Sequence, residues 1–160
     1  MAQVTLTRNM TNGILKLKDN TGSPQTLTLK VAEGNFTWTV GKEFSQYRER
    51  GVLLDVRSGP QQAVTWSFEC RFTKAGPFSG TPFQAYGFLT QQSGHTIVST
   101  ATTGWAPSIE IEFTITDPAG GASEVFTFAK CYVESVTPAE GDPNTISASG
   151  FDFEEEPTLS

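Results

Sequence analysis

Histidine is almost missing from this chain, which has one, and cysteine is scarce, with two in 160 residues. An ordinary Cys/His zinc site has no ligand set here, and a Ser-His-Asp or Cys-His pair would have His95 as its sole candidate base. Basic side chains are also few. Eleven Lys and Arg stand against 17 Asp and Glu, a net charge of -6, which argues against gripping nucleic acid through phosphates, because that takes clustered cations. No glycine-rich phosphate loop follows a strand pattern. No stretch approaches the about 18 apolar residues of a membrane span, and the opening MAQVTLTRNM has no apolar signal core. These absences predict a cytosolic product with no cofactor and no membrane, in which the glycosylation-like triplets at Asn9 and Asn35 arise by chance.

What the chain does have is β-forming sequence. Twelve Phe, three Trp and abundant Thr and β-branched residues, without Leu-rich helical runs, favour an all-β fold. The length fits a single domain over residues 1–160, large enough to bury roughly two-thirds of its unfolded surface. Ile14 to Lys18 reads as a short strand and 19–24 as a turn. Thr26 to Val31 places Leu27, Leu29 and Val31 on one face; after Glu33-Gly34, Asn35 to Val40 places Phe36, Trp38 and Val40 on another, which predicts a hairpin between these two segments. Ala63 to Phe72 alternates cleanly, with Val64, Trp66, Phe68, Cys70 and Phe72 on one side. Thr81-Pro82 offers an N-cap and first-turn proline for a short helix to about Gln91, presenting Phe83, Tyr86 and Thr90. Ile109 to Thr116 alternates again, with Glu110, Glu112, Thr114 and Thr116 on its polar face. Ser123 to Val133 is apolar on both faces, with Phe126, Phe128 and Tyr132 on one side, which implies a central strand or burial against a partner.

Lys130 to Phe153 predicts a closing pair of strands around an acidic turn. Ile146 and Ala148 share one parity and Phe151 and Phe153 the other, so a β-bulge at Gly150 would turn all four inward; alternatively Gly150 ends the strand. The two cysteines fall in apolar strands and read as buried thiols, with one disulfide left open. Residues 42–62 form a charged arm with Arg48, Arg50, Arg57, Glu43, Glu49 and Asp55 among Phe44, Tyr47, Leu53, Leu54 and Val56. It is either a solvated loop or an arm that docks on another subunit, Phe44, Tyr47, Arg48, Glu49, Arg50 and Arg57 being the candidate contacts. Neighbouring carboxylates at Glu110/Glu112, Glu140/Asp142 and Asp152/Glu154 could bind calcium or act as acid and base, but surface carboxylates of this kind are common. Residues 154–160 read as an acidic tail.

The order of these features resembles the major tail tube proteins of long-tailed bacteriophages. It is carried by GNFTWTV, the arm running through EFSQYRERGVLLDVRSGPQQAVTWSFECRF, the proline-initiated helix, the strands IEIEFTIT and FTFAKCYVESV, and EGDPNTISASGFDF. The resemblance implies a β-sandwich or partly closed β-barrel with one short flanking α-helix and an extended arm. It further implies a virion protein without enzymatic activity, assembled in the host cytoplasm. Such proteins form hexameric rings stacked into a tube, work with tape-measure, terminator and tail-tip proteins, and let DNA pass without specific binding. Glu110, Glu112, Thr114 and Thr116 are then candidates for the lumen wall. The alternatives are a carbohydrate- or surface-binding β-sandwich, with Trp105 as the tryptophan placed for exposure, and a small glycosidase-like enzyme.

Overall fold

The computed structural model describes residues 13–19, 24, 26–29, 35–71, 74–78, 81–90, 108–116, 122–141, 145–153 and 157–160. In chain order the elements are β1 (Ile14–Asp19), β2 (Thr26–Leu29), β3 (Thr37–Thr39), β4 (Phe44–Glu49), β5 (Val52–Ser58), β6 (Val64–Arg71), β7 (Lys74–Phe78), β8 (Thr81–Gln84), α1 (Ala85–Thr90), β9 (Ile109–Ile115), β10 (Glu124–Ala139), β11 (Thr145–Asp152) and β12 (Thr158–Leu159). The main sheet runs β2-β1-β9-β10-β11-β6-β3, antiparallel throughout, with β12 also paired to β10. β4 with β5, and β7 with β8, make separate two-stranded ribbons.

Along this path β3 is four strand steps from β9, about 19 Å in a flat sheet at the usual strand spacing. Yet the Trp38 ring lies 6.0 Å from Phe113 of β9 and 5.1 Å from Phe126 of β10. The sheet therefore curls until its halves face each other, and Phe36, Trp38, Phe113, Phe126 and Phe128 meet inside. This is the all-β, partly closed architecture anticipated, with α1 flanking β10 and β11. Alternation makes it possible. Leu15, Leu17, Leu27, Leu29, Val64, Trp66, Phe68, Ile109, Ile111, Ile146 and Ala148 are buried on one face, each large apolar side chain contributing about 2 kcal/mol. Lys, Glu, Thr and Ser occupy much of the other.

Several expectations are corrected. β2 and β3 do not form a hairpin: β2 pairs with β1 and β3 with β6, at opposite ends of the sheet. Burial decides this, because pairing with β6 sets Trp38 opposite Trp66 and within the aromatic interior. The helix starts at Ala85 and not at Pro82, since 81–84 pair with β7; a two-stranded ribbon tolerates a proline that a central strand would exclude. Its buried residues are Ala85, Gly87, Phe88 and Leu89, while Tyr86 is half-buried and the Thr90 hydroxyl donates to the Tyr86 carbonyl at 2.7 Å.

The closing strands do pair, but the bulge lies in β10. Val133 faces Gly150 and Ser135 faces Ser149, leaving Glu134 as the extra residue. β11 keeps its alternation, so Asp152 is buried while Phe151 and Phe153 stay on the outer face. A second irregularity between Phe128 and Cys131 brings both of those residues inward and sends Tyr132 outward opposite Phe151. β10 is therefore central. The end of the chain is not only a tail, because Thr158 and Leu159 pair with β10 and Ser160 exchanges two backbone hydrogen bonds with Val125. Val31, Phe72, His95, Trp105, Asp142 and Glu154 to Glu156, on which other expectations rest, lie outside the described residues.

Candidate functional site

Two surfaces bear the residues singled out in the sequence. The first is the β4–β5 hairpin, which is the charged arm. Its two-residue turn, Arg50 at φ +48° and Gly51 at φ +86°, has both central residues in the left-handed region, as the type I′ turn requires to match strand twist. At its root the Gly59 amide donates to the Glu43 carbonyl at 2.7 Å and the Gln62 amide group donates to the Glu43 carboxylate at 3.2 Å. Every residue of β4 and β5 is exposed.

Register sorts the arm into unlike faces. Phe44, Gln46, Val56 and Leu53 share one with Arg48; Ser45, Tyr47, Glu49, Asp55 and Arg57 share the other. On the second face Arg57 donates to Asp55 at 2.8 Å and its guanidinium sits 5.1 Å from the Tyr47 ring centre. On the first, Arg48 donates to Gln46 at 3.1 Å. Phe44 is 57% exposed and Val52 and Leu54 each 62%. Isolated two-stranded hairpins are marginal in water, and this one leaves its apolar side chains uncovered.

The second surface is the outer face of β1 and β9. Lys16 stands opposite Glu112 and Lys18 opposite Glu110. Lys16 reaches Glu112 at 3.3 Å, Lys18 reaches Glu110 at 3.1 Å, and Lys18 also pairs closely with Glu112. The hydrogen bond from Lys18 holds the Glu112 carboxyl below its usual range against partial burial, and the bond to Glu112 holds the Lys18 ammonium above its own. Thr114 is half-buried beside this ladder and Thr116 is exposed just beyond β9. The four residues are thus brought together, but the carboxylates are neutralised by lysines that sequence reasoning passed over. The signal was present in the alternation of β1, which puts both lysines on its polar parity; only the strand register was missing.

The Asp152/Glu154 reading is corrected by burial. Asp152 is 0% exposed, and its carboxylate accepts from the Lys130 amide at 3.2 Å, beside the irregular segment of β10. Cys70 and Cys131 are both buried as thiols, and the Cys131 thiol donates to the Phe128 carbonyl at 3.6 Å. Burial, with some help from the Glu69 charge, pushes the Cys70 thiol up to about 11. No group of three or more His, Cys, Asp or Glu able to hold a metal occurs among the described residues, and no helix there is long and apolar enough to cross a membrane.

No protein-family model matches the sequence, and no curated protein does. Solved structures do share its fold. A chain in a cryo-EM structure of an extracellular contractile injection system, the PVC sheath/tube terminator in its extended state, superposes with a TM-score of 0.63 at 11% identity, covering 99% of each chain. One in the PVC sheath-tube complex gives 0.61 at 11% identity, over 98% of this chain and 93% of that one. One in the tube-terminating cap of the anti-feeding prophage gives 0.55 at 14% identity, over 100% and 95%. The chain thus has, over nearly its whole length, a fold found in components of an extracellular contractile injection system and of the anti-feeding prophage.

Proposed function

We propose that this protein is the tube subunit of a long-tailed bacteriophage, self-assembling into hexameric rings that stack into the conduit for DNA ejection. The observation that carries the reading is the arm: a hairpin exposed on both faces, extending from a domain that has its own closed core. Rings need head-to-tail contacts that close by rotation, and stacking needs a second set. An arm reaching off the domain serves one set. The open edges of the curled sheet, β2 and β3, serve the other. Terminator, sheath-tube and cap assemblies among the structures sharing this fold support partners that surround and close such a tube; a partner that sets its length belongs to the same reading. In this reading Phe44, Tyr47, Arg48, Glu49, Arg50 and Arg57 make inter-subunit contacts, and Glu110, Glu112, Thr114 and Thr116 face the lumen.

Electron microscopy of the purified protein should show rings or filaments. Arg48→Glu with Arg50→Glu should give a folded monomer that does not polymerise, because like charges at a contact cost several kcal/mol. Monodisperse wild-type protein would overturn the assignment, and unchanged filament yield in the variant would remove those two arginines from the contact. The carbohydrate-binding alternative has no tryptophan platform among the described residues, since Trp66 is buried and Trp38 packs into the aromatic interior.

A further inference from the structure

The outer face of β10 and β11 is mostly hydroxyl-bearing: Ser135, Thr137, Thr145, Ser147 and Ser149 lie there in register. One part differs. Tyr132 and Phe151 stack at 5.3 Å, Phe153 is 63% exposed, and the Lys130 ammonium lies 5.8 Å from the Phe153 ring centre. Glu134, the bulged residue, is exposed beside Tyr132. An aromatic patch of this kind, rimmed by charge and set in a polar carpet, has the composition of the buried centre of a protein contact.

We infer that this patch receives the apolar face of the arm from a second copy of the chain. The match is chemical on three counts. Phe44, Leu53 and Val56 lie on one face of the two-stranded arm, interleaved with Gln46 and Arg48 and 48–57% exposed, and can cover Phe153 beside the half-buried Tyr132–Phe151 stack. Arg48 shares that arm face and Arg50 stands at its tip, while the patch offers Glu134 to a cation. Tyr and Phe rings beside a guanidinium add cation–π attraction. Phe153 on the patch and Phe44, Leu53 and Val56 on the arm are exposed in the same molecule, so the arm does not cover Phe153 within one chain. This inference rests on the tube reading and adds the receptor to it.

The test mixes variants that each add one surface cysteine, since Cys70 and Cys131 are buried and do not compete. Full-length Leu53→Cys and Phe153→Cys proteins, mixed under assembly conditions and oxidised gently, should give a disulfide-linked heterodimer in high yield, and neither alone should. Glu134→Arg should abolish pelleting of assemblies, and Glu134→Arg combined with Arg48→Glu should restore it. Tubes from wild-type protein without the mixed crosslink, or with Glu134→Arg pelleting normally, would overturn the inference and leave the tube reading standing. Wild-type protein that stays monomeric overturns both.

Discussion

At position 150 a side chain has nowhere to go: a Cβ would collide with the Tyr132 carbonyl oxygen and stand 2.7 Å from Cζ2 of Trp66. The first obstacle is backbone in a central strand, which cannot swing aside as a side-chain tip would. Gly150→Ala should therefore lower the unfolding free energy by about 3 kcal/mol, read by urea denaturation. A loss below about 1 kcal/mol would show that the bulge at Glu134 lets β10 shift. Cys70 offers a second check. Its thiol is raised from 9.0 to about 11 by burial, so the folded state holds the proton more tightly than the unfolded state. Stability is unaffected by this group below pH 9 and falls as pH rises from there through about 11. A Cys70→Ala variant should show a shallower alkaline decline, and in the native protein both thiols should resist alkylation at neutral pH. Rapid native labelling of Cys70 would contradict its burial.

Among the elements, the β1–β9 pair carries a charge ladder whose effect depends on pH at both ends. Glu112 is held below 4.5 and Lys18 above 10.5 by their shared pairing. The carboxylate contribution is present above pH 4.5 and is lost as pH falls through the lowered value; the ammonium contribution is present below pH 10.5 and is lost as pH rises through the raised one. Both side chains are partly buried but keep contact with water, so Glu112→Gln should cost about 1 kcal/mol at neutral pH. That cost should exceed the cost of Glu110→Gln, because Glu112 contacts both lysines and Glu110 one. Equal costs would mean that Lys16 contributes nothing. The arm behaves differently, since both of its strands are exposed along their whole length. Backbone amides of residues 44–58 should exchange quickly in the monomer and become protected in assemblies; protection already in the monomer would mean that the arm has a resting place on its own domain.

For the whole molecule, the proposed tube raises the question of what a repeated surface would do to a passing polyanion. Carboxylates lining a tube would repel phosphates over about 8–10 Å at physiological salt. Here Glu110 and Glu112 are matched by Lys16 and Lys18, so this face carries no net charge of its own: two negative, two positive. Such a face offers DNA less than a row of unpaired lysines would, because a phosphate has to compete with Glu110 and Glu112 for the same ammonium groups. Glu110→Lys with Glu112→Lys would leave four lysines on this face in every subunit. If the face lines the conduit, tails should form normally and genome ejection should slow or stall, more so at low salt. Normal ejection from such tails would place the ladder outside the lumen.

Alternation alone determined much of this protein. The polar and apolar parities of β1, β6 and β9 and the burial of Cys70 follow from period-two patterning, because a strand with one wet face leaves no other arrangement, and the arm stands out by its concentration of charge. Tertiary structure decided what depends on partners distant in the chain. Trp38 found Phe126 and Trp66, which drew β3 away from β2. Lys16 and Lys18 met Glu110 and Glu112 only once the β1–β9 register was fixed, and Asp152 became a buried acceptor for the Lys130 amide where β10 departs from regular pairing. A bulge adds one residue to one strand and inverts every parity beyond it, and no local pattern specifies which of two paired strands will carry it.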